Sequence, residues 1–206
     1  EINLRNADGA LLRGKVTEIF DSELAVDIVG RKECAGSSID LTLGVALLKG
    51  KKFDVVVQKA VEIGVRKIVP LITDRSVPNI AGKEERKYGR LKKIALEAAK
   101  QCMRCDVPDV APPCDFEEFI AGAEGREKFI AHPHDEAAEL KTLLKEAVCK
   151  KCVLAIGPEG GFTDEEIAMA VSAGWKAFKV GSTCMRAETA AIVIPAIIMY
   201  EWSVYD

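Results

Sequence analysis

Residues 153–170 read V-L-A-I-G-P-E-G-G-F-T-D-E-E-I-A-M-A and leave the chain few ways to fold. The apolar run 153–156 ends at a turn signal, as a fully buried strand does. Gly157, Gly160 and Gly161 let the backbone take φ > 0 and approach a ligand with no Cβ in the way. Thr163 sits where an N-cap belongs and Glu166 follows three residues on, so T-D-E-E reads as a capping box. Strand, glycine loop and capped helix together indicate a small-molecule site on an α/β sheet.

A phosphate cradle is the obvious occupant, and the residues argue against it. Such a helix start offers bare N–H groups and a positive dipole end. Here Glu159, Asp164, Glu165 and Glu166 crowd that end and would repel a pyrophosphate. Neither G-x-G-x-x-G nor G-x-x-x-x-G-K-[ST] occurs in the loop. A neutral or cationic ligand fits better.

The rest of the chain supplies the sheet. Residues 11–19 and 23–29 are β-rich and joined by Phe20-Asp21-Ser22, which predicts a hairpin. Two strands alone are barely stable, so they belong to a sheet or barrel whose other strands are absent here. A polar linker is expected over 31–38. From residue 39 strands alternate with helices: strand 39–47, helix 53–63 closed by Gly64, strand 67–72, an exposed polar segment 78–85 and helix 88–105. A short helix 116–121, strand 128–131, helix 136–150, strand 153–156, helix 164–173, strand 177–180 and an apolar helix 188–202 complete the chain. Ligands in such sheets bind beyond the carboxyl ends of strands, so the loops 131–134, 157–161 and 181–189 compete for the site.

Composition excludes several classes. A length of 206 residues suits one good core or one domain plus a small appendage, and 49% hydrophobic with 30% charged residues is ordinary for a globular protein. The net charge of −3 gives no general pull toward nucleic acid, so RNA contact needs local patches. The longest apolar run, 190–200, is interrupted by Pro195 and reads as a core helix, not a membrane span. Seven cysteines, an odd number, point to free thiols in a reducing cytoplasm. The pairs Cys102/Cys105 and Cys149/Cys152 are too far apart for a common zinc ribbon, so no metal is expected.

Five blocks, in order, carry a resemblance. They are K-x-x-x-x-D-x-x-x-Q-K-A-x-E-x-G-V-x-x-I-x-P at 49–70, D-R-S-V at 74–77 and E-A-A-K-Q-C-M-R at 97–104. The last two are I-G-P-E-G-G-F-T-D-E-E at 156–166 and V-G-S-T-C-M-R-A-E-T-A at 180–190. From about residue 39 to its end the chain resembles the RsmE family of ribosomal RNA methyltransferases, a branch of the SPOUT enzymes. The resemblance implies an α/β fold: a SPOUT-type parallel sheet with a C-terminal trefoil knot, preceded by a fragment of a PUA-like β-barrel over 1–38. It also implies a cytoplasmic homodimer that uses S-adenosylmethionine to methylate N3 of a uridine in 16S rRNA of the small ribosomal subunit.

The same resemblance assigns candidate residues. Cofactor contacts fall on Ala131 and His132, on Gly157, Pro158, Glu159, Gly160 and Gly161, and on Val180, Gly181, Met185, Arg186, Thr189 and Ala190. His132 also reads as an exposed loop imidazole, the simpler alternative. Uracil N3 must lose its proton to become a nucleophile, so a cation or a base is needed. Arg186 is the candidate cation and Glu188 the candidate base or orienting group; the plainer alternative is an Arg186–Glu188 ion pair capping the last helix. Lys49, Lys52, Arg75 and Arg104 are the candidate RNA contacts. Thr183 and Ala187 stand where the family commonly has arginine and threonine. Thr183 motivates the alternative of a catalytically weakened RNA- or cofactor-binding dimer.

Overall fold

The computed structural model describes residues 1–5, 11–31, 39–76, 84–134 and 137–203. At the N-terminus β1 (Ile2–Arg5), β2 (Leu11–Ile19) and β3 (Leu24–Arg31) form a three-stranded antiparallel sheet. The hairpin between β2 and β3 appears where the sequence puts it, while β1 is a third strand that the sequence reading lacks. Its Ile2-Asn3-Leu4 alternation is too short to signal a strand without its partner β2. Ile19, Phe20, Leu24, Ile28 and Val29 on this small sheet remain exposed. The expected linker lies almost wholly outside the described residues, as does most of the polar segment 78–85.

The main sheet and its helices follow in alternation. They are β4 (Asp40–Ala46), α1 (Lys52–Ile63), β5 (Lys67–Ile72), α2 (Glu84–Gln101), β6 (Asp109–Val110), β7 (Cys114–Asp115) and α3 (Phe116–Ala121). After them come β8 (Glu127–Ala131), β9 (Ala138–Glu139), α4 (Leu140–Glu146), β10 (Lys151–Ile156), α5 (Asp164–Ser172), β11 (Lys176–Lys179) and α6 (Ala187–Ser203). The strand order is β6-β5-β4-β10-β8-β11-β9, with β7 also on β5, and every described pairing in this sheet is parallel. Parallel strands need crossover connections, which the intervening helices supply.

Helices cover both faces, so the central strands carry little polar sequence. β4 is buried from Leu41 through Ala46 and β10 from Cys152 through Ile156. Truncating fully buried Leu154 to alanine would cost roughly 2–5 kcal/mol. Gly44 of β4 faces Phe119 of α3 so closely that an added Cβ would lie 2.4 Å from the ring. One core joins the sheet to α1, α2, α4 and α6; the other joins it to α3 and α5 around Phe116, Phe162 and Trp175. On α1 the buried positions Phe53, Val56, Val57, Ala60 and Val61 make one helical stripe. Gly64 at φ 108° ends it, donating to the carbonyls of Ala60 and Val61.

Two helices differ from their sequence-based bounds. α2 stops at Gln101, short of Cys105, because the chain reverses there: Met103 takes φ 54°, its N–H meets the Lys100 carbonyl at 3.2 Å and the Arg104 N–H meets Ala99 at 3.0 Å. This is a Schellman stop built without glycine, so no residue type announces it. The expected helix over 136–150 shrinks to α4, because Ala138 and Glu139 pair with β11 first. Cys105 is disulfide-bonded, which corrects the expectation of free thiols throughout; Cys102, Cys114, Cys149, Cys152 and Cys184 are free. Among the described residues no helix is long and apolar enough to cross a membrane.

Candidate functional site

Strand order decides which loops meet. β8 lies between β10 and β11, and β10 lies between β8 and β4, so the carboxyl ends of β8, β10 and β11 stand side by side. Their exit loops, closed over by the start of α6, surround a cavity of about 310 Å³. Ala131 and His132 line it from the first loop. Gly157, Pro158, Glu159 and Gly161 line it from the second. Val180, Met185 and Arg186 come from the third, and Ala190 from α6. Gly160, Gly181 and Thr189 are not on this wall. Gly160 packs on Arg75, Gly181 makes a turn at φ 65° beside a neighbouring hollow, and Thr189 is exposed on the first turn of α6.

The glycine loop owes its shape to its own packing as much as to any ligand. A Cβ on Gly157 would sit 3.2 Å from the Phe162 ring and from its backbone nitrogen. Gly161 alone of the three takes a positive φ, 71°. Thr163 completes the capping box: its hydroxyl accepts from the Glu166 N–H at 3.2 Å, and Glu166 Oε2 accepts from the Thr163 N–H at 2.8 Å. Glu166 is 5% exposed, and its other oxygen accepts from the Asp74 N–H at 3.0 Å. Arg75 donates to the carbonyls of Gly160 at 2.9 Å and Phe162 at 3.2 Å. The exit loop of β5 therefore splints the glycine loop from behind, a support absent from the sequence reading.

Charge enters the cavity through Lys52. Its Nζ lies 3.0 Å from Glu159 Oε1 and 3.3 Å from Glu188 Oε1. The hydrogen bond that Lys52 donates to Glu159 outweighs burial and, with Glu188, raises the Lys52 pKa above its ordinary value. Burial pulls Glu159 upward, but its own backbone N–H and Lys52 prevail, and its carboxyl stands below the usual value. The Glu188 carboxyl is also held low, first by its own backbone N–H and then, against burial, by Lys52 and Arg186. Glu188 is not on the cavity wall; it reaches the cavity through Lys52, and its Oε2 is buried without a hydrogen-bond partner. His132 is half-buried, not an exposed loop imidazole. Burial and the stacked His134 ring, 5.5 Å away, lower its pKa against a smaller raising effect of Asp164.

Comparison with known proteins gives this site its setting. Residues 35–199 match the model of a family described as an RNA methyltransferase domain. Ribosomal RNA small subunit methyltransferase E of Aquifex aeolicus is 30% identical over 93% of this chain and 82% of its own length. The chain belongs to the RsmE family. The Synechocystis member is 33% identical over 78% of this chain, which spans about half, 53%, of that relative's length. The crystal structure of the Neisseria gonorrhoeae family member, bound to S-adenosyl methionine, superposes with a TM-score of 0.88 at 26% identity. That superposition covers 98% of this chain and 83% of the other.

In this RsmE-family chain the four candidate RNA cations separate. Lys49 is exposed at the end of β4, as an RNA contact needs to be. Lys52 is taken up by two carboxylates, and Arg75 by the glycine loop. Arg104 is turned inward, its side chain 13% exposed, with 2.9 Å hydrogen bonds to the carbonyls of Val61 and Val65 and an ion pair to Asp106. It caps the C-terminal end of α1, where a cation suits both the orphan carbonyls and the dipole. Ion pairing at Glu188 runs to Lys52, across the cavity edge, where the sequence offered Arg186 as the partner. The cavity residues Ile156, Phe178, Ala187 and Ile194 were also missed, though their apolar character and positions at strand and helix ends could have flagged them.

Proposed function

We propose that this protein transfers a methyl group from S-adenosylmethionine to N3 of a uridine in 16S ribosomal RNA. The observation that carries the reading is the match, over nearly the whole chain, to a family member whose structure holds S-adenosyl methionine. The cavity fits that group. Its volume of about 310 Å³ suits a small molecule, and its walls combine apolar Phe178, Val180, Met185 and Ile194 with the polar backbone of the glycine loop. A nucleoside carrying a charged amino-acid tail needs both kinds of surface.

When bound, the cofactor supplies an electrophilic methyl carbon on a sulfonium centre. The protein's share is alignment: Gly157, Pro158 and Gly161 offer backbone groups, while Ala131, Val180, Met185 and Ala190 exclude water. Arg186, exposed at the rim, stabilises the uracil anion formed when N3 gives up its proton to solvent water. A carboxyl held below its usual value is a weak base, so Glu188 takes the orienting role. Lys49 contributes to the phosphate-binding face.

The same proposal covers the architecture. Residues 1–38 belong to a PUA-like β-barrel domain that binds RNA, a reading supported by the exposed apolar side chains of β2 and β3. Residues 39–206 are the SPOUT methyltransferase domain, with a trefoil knot at its C-terminal end. The enzyme works in the cytoplasm as a homodimer, and Tyr200, 71% exposed on α6, and Val193 offer apolar surface for the partner copy. Mass spectrometry of 16S rRNA from a strain lacking the gene tests the activity. Loss of N3-methyluridine is expected, and its persistence would count against the enzyme.

A further inference from the structure

The two walls of the cavity are joined at one edge by a single side chain. Glu159 belongs to the glycine loop, Glu188 to the first turn of α6, and Lys52 to the start of α1. Lys52 Nζ meets Oε1 of each, at 3.0 and 3.3 Å, and Lys52 and Glu159 both line the cavity. We propose that Lys52 is a positioning residue that sets the spacing between the glycine loop and the start of α6, and with it the affinity for the cofactor.

The geometry carries this in three steps. Two carboxylates drawn to one ammonium would repel each other without it, since like charges at such a separation are unfavourable. The loop leading into α6 is exposed from Gly181 through Cys184, while Ala187 and Ala190 are buried in the core, so among the described residues the Lys52 bridge ties the polar side of the α6 start to the glycine loop. Glu188 Oε2 is buried without a donor, a costly arrangement that holds only while Lys52 fixes Oε1. Removing the ammonium frees Glu188 to turn to solvent and carries the start of α6 away from Glu159. Lys52 does not touch the reacting atoms; it acts through the two glutamates.

This inference rests on the reading of the cavity as the cofactor site, and the test separates the two. Hydrogen exchange of the cofactor-free protein needs no ligand. Amides of 157–161 and 184–190 should exchange faster in Lys52→Met and regain most of their protection in Lys52→Arg. Calorimetry with S-adenosylmethionine should show Kd raised roughly five- to tenfold in Lys52→Met and restored in Lys52→Arg. In Lys52→Met/Glu188→Gln, where the repulsion is gone, part of the affinity should return. With small ribosomal subunits as substrate, Lys52→Met should raise the cofactor KM by a larger factor than it lowers kcat, and Lys52→Arg should restore KM. Unchanged exchange in Lys52→Met overturns the inference whether or not the protein binds the cofactor. Faster exchange with unchanged Kd overturns its second half. Wild-type protein that binds no S-adenosylmethionine sinks the underlying reading of the cavity, while the exchange result still decides the role of Lys52.

Discussion

At the scale of single residues, two arginines that look alike in the sequence have different work. Arg104 saturates carbonyls at the end of α1, so Arg104→Ala should cost about 2–3 kcal/mol by leaving them unpaired. Methylation by the protein that remains folded should stay near normal, and chemical denaturation beside a turnover assay reads both. Arg186 lines the cavity and is exposed at its rim. Arg186→Ala should lower turnover roughly 100-fold or more while cofactor affinity changes little; unchanged turnover would remove it from the chemistry. The Lys52 bridge has a pH window with a definite sign. Its carboxyl contribution is present above the ordinary value of 4.5 and is lost as pH falls through the lower folded values of Glu159 and Glu188. Its lysine contribution is present below 10.5 and lost as pH rises through the raised folded value. Exchange protection of 157–161 should therefore be level between those limits and fall outside them. High salt should weaken it, since the bridge is open to solvent.

At the scale of elements, the glycine loop stands on Glu166. Thr163→Ala removes one half of the capping box and should cost about 1 kcal/mol. Glu166→Ala removes acceptors from both Thr163 and Asp74 and should cost roughly 3 kcal/mol, with a visible loss in cofactor affinity. A thermal scan of the two variants should rank them in that order. What was legible in the sequence at this scale was local. The capping box lies within four residues, the α1 stripe repeats at helical spacing, and Gly64 marks its own stop. The α2 stop was hidden because Met103 takes a glycine's conformation. Strand β9 was hidden because its partner β11 lies far along the chain. Lys52 read as an RNA contact for the same reason: Glu159 is 107 residues away in sequence, and only the fold brings them together.

At the scale of the whole molecule, alternation of strand and helix was enough to infer a parallel sheet with its site at the strand exits. It was not enough to give the order of strands, which decides that the exits of β8, β10 and β11 adjoin. The carboxylates that argued against a phosphate ligand turn out to be employed: Glu166 splints the loop and Glu159 meets Lys52. S-adenosylmethionine at 100 times its Kd should stabilise the protein by about 2.7 kcal/mol, seen as a concentration-dependent rise in Tm. The most direct measurement is mass spectrometry of 16S rRNA from unmethylated small subunits incubated with this protein and methyl-labelled S-adenosylmethionine. The expected result is label on N3 of a single uridine, absent with Arg186→Ala. Label on another atom, or none from protein that binds the cofactor, would contradict it.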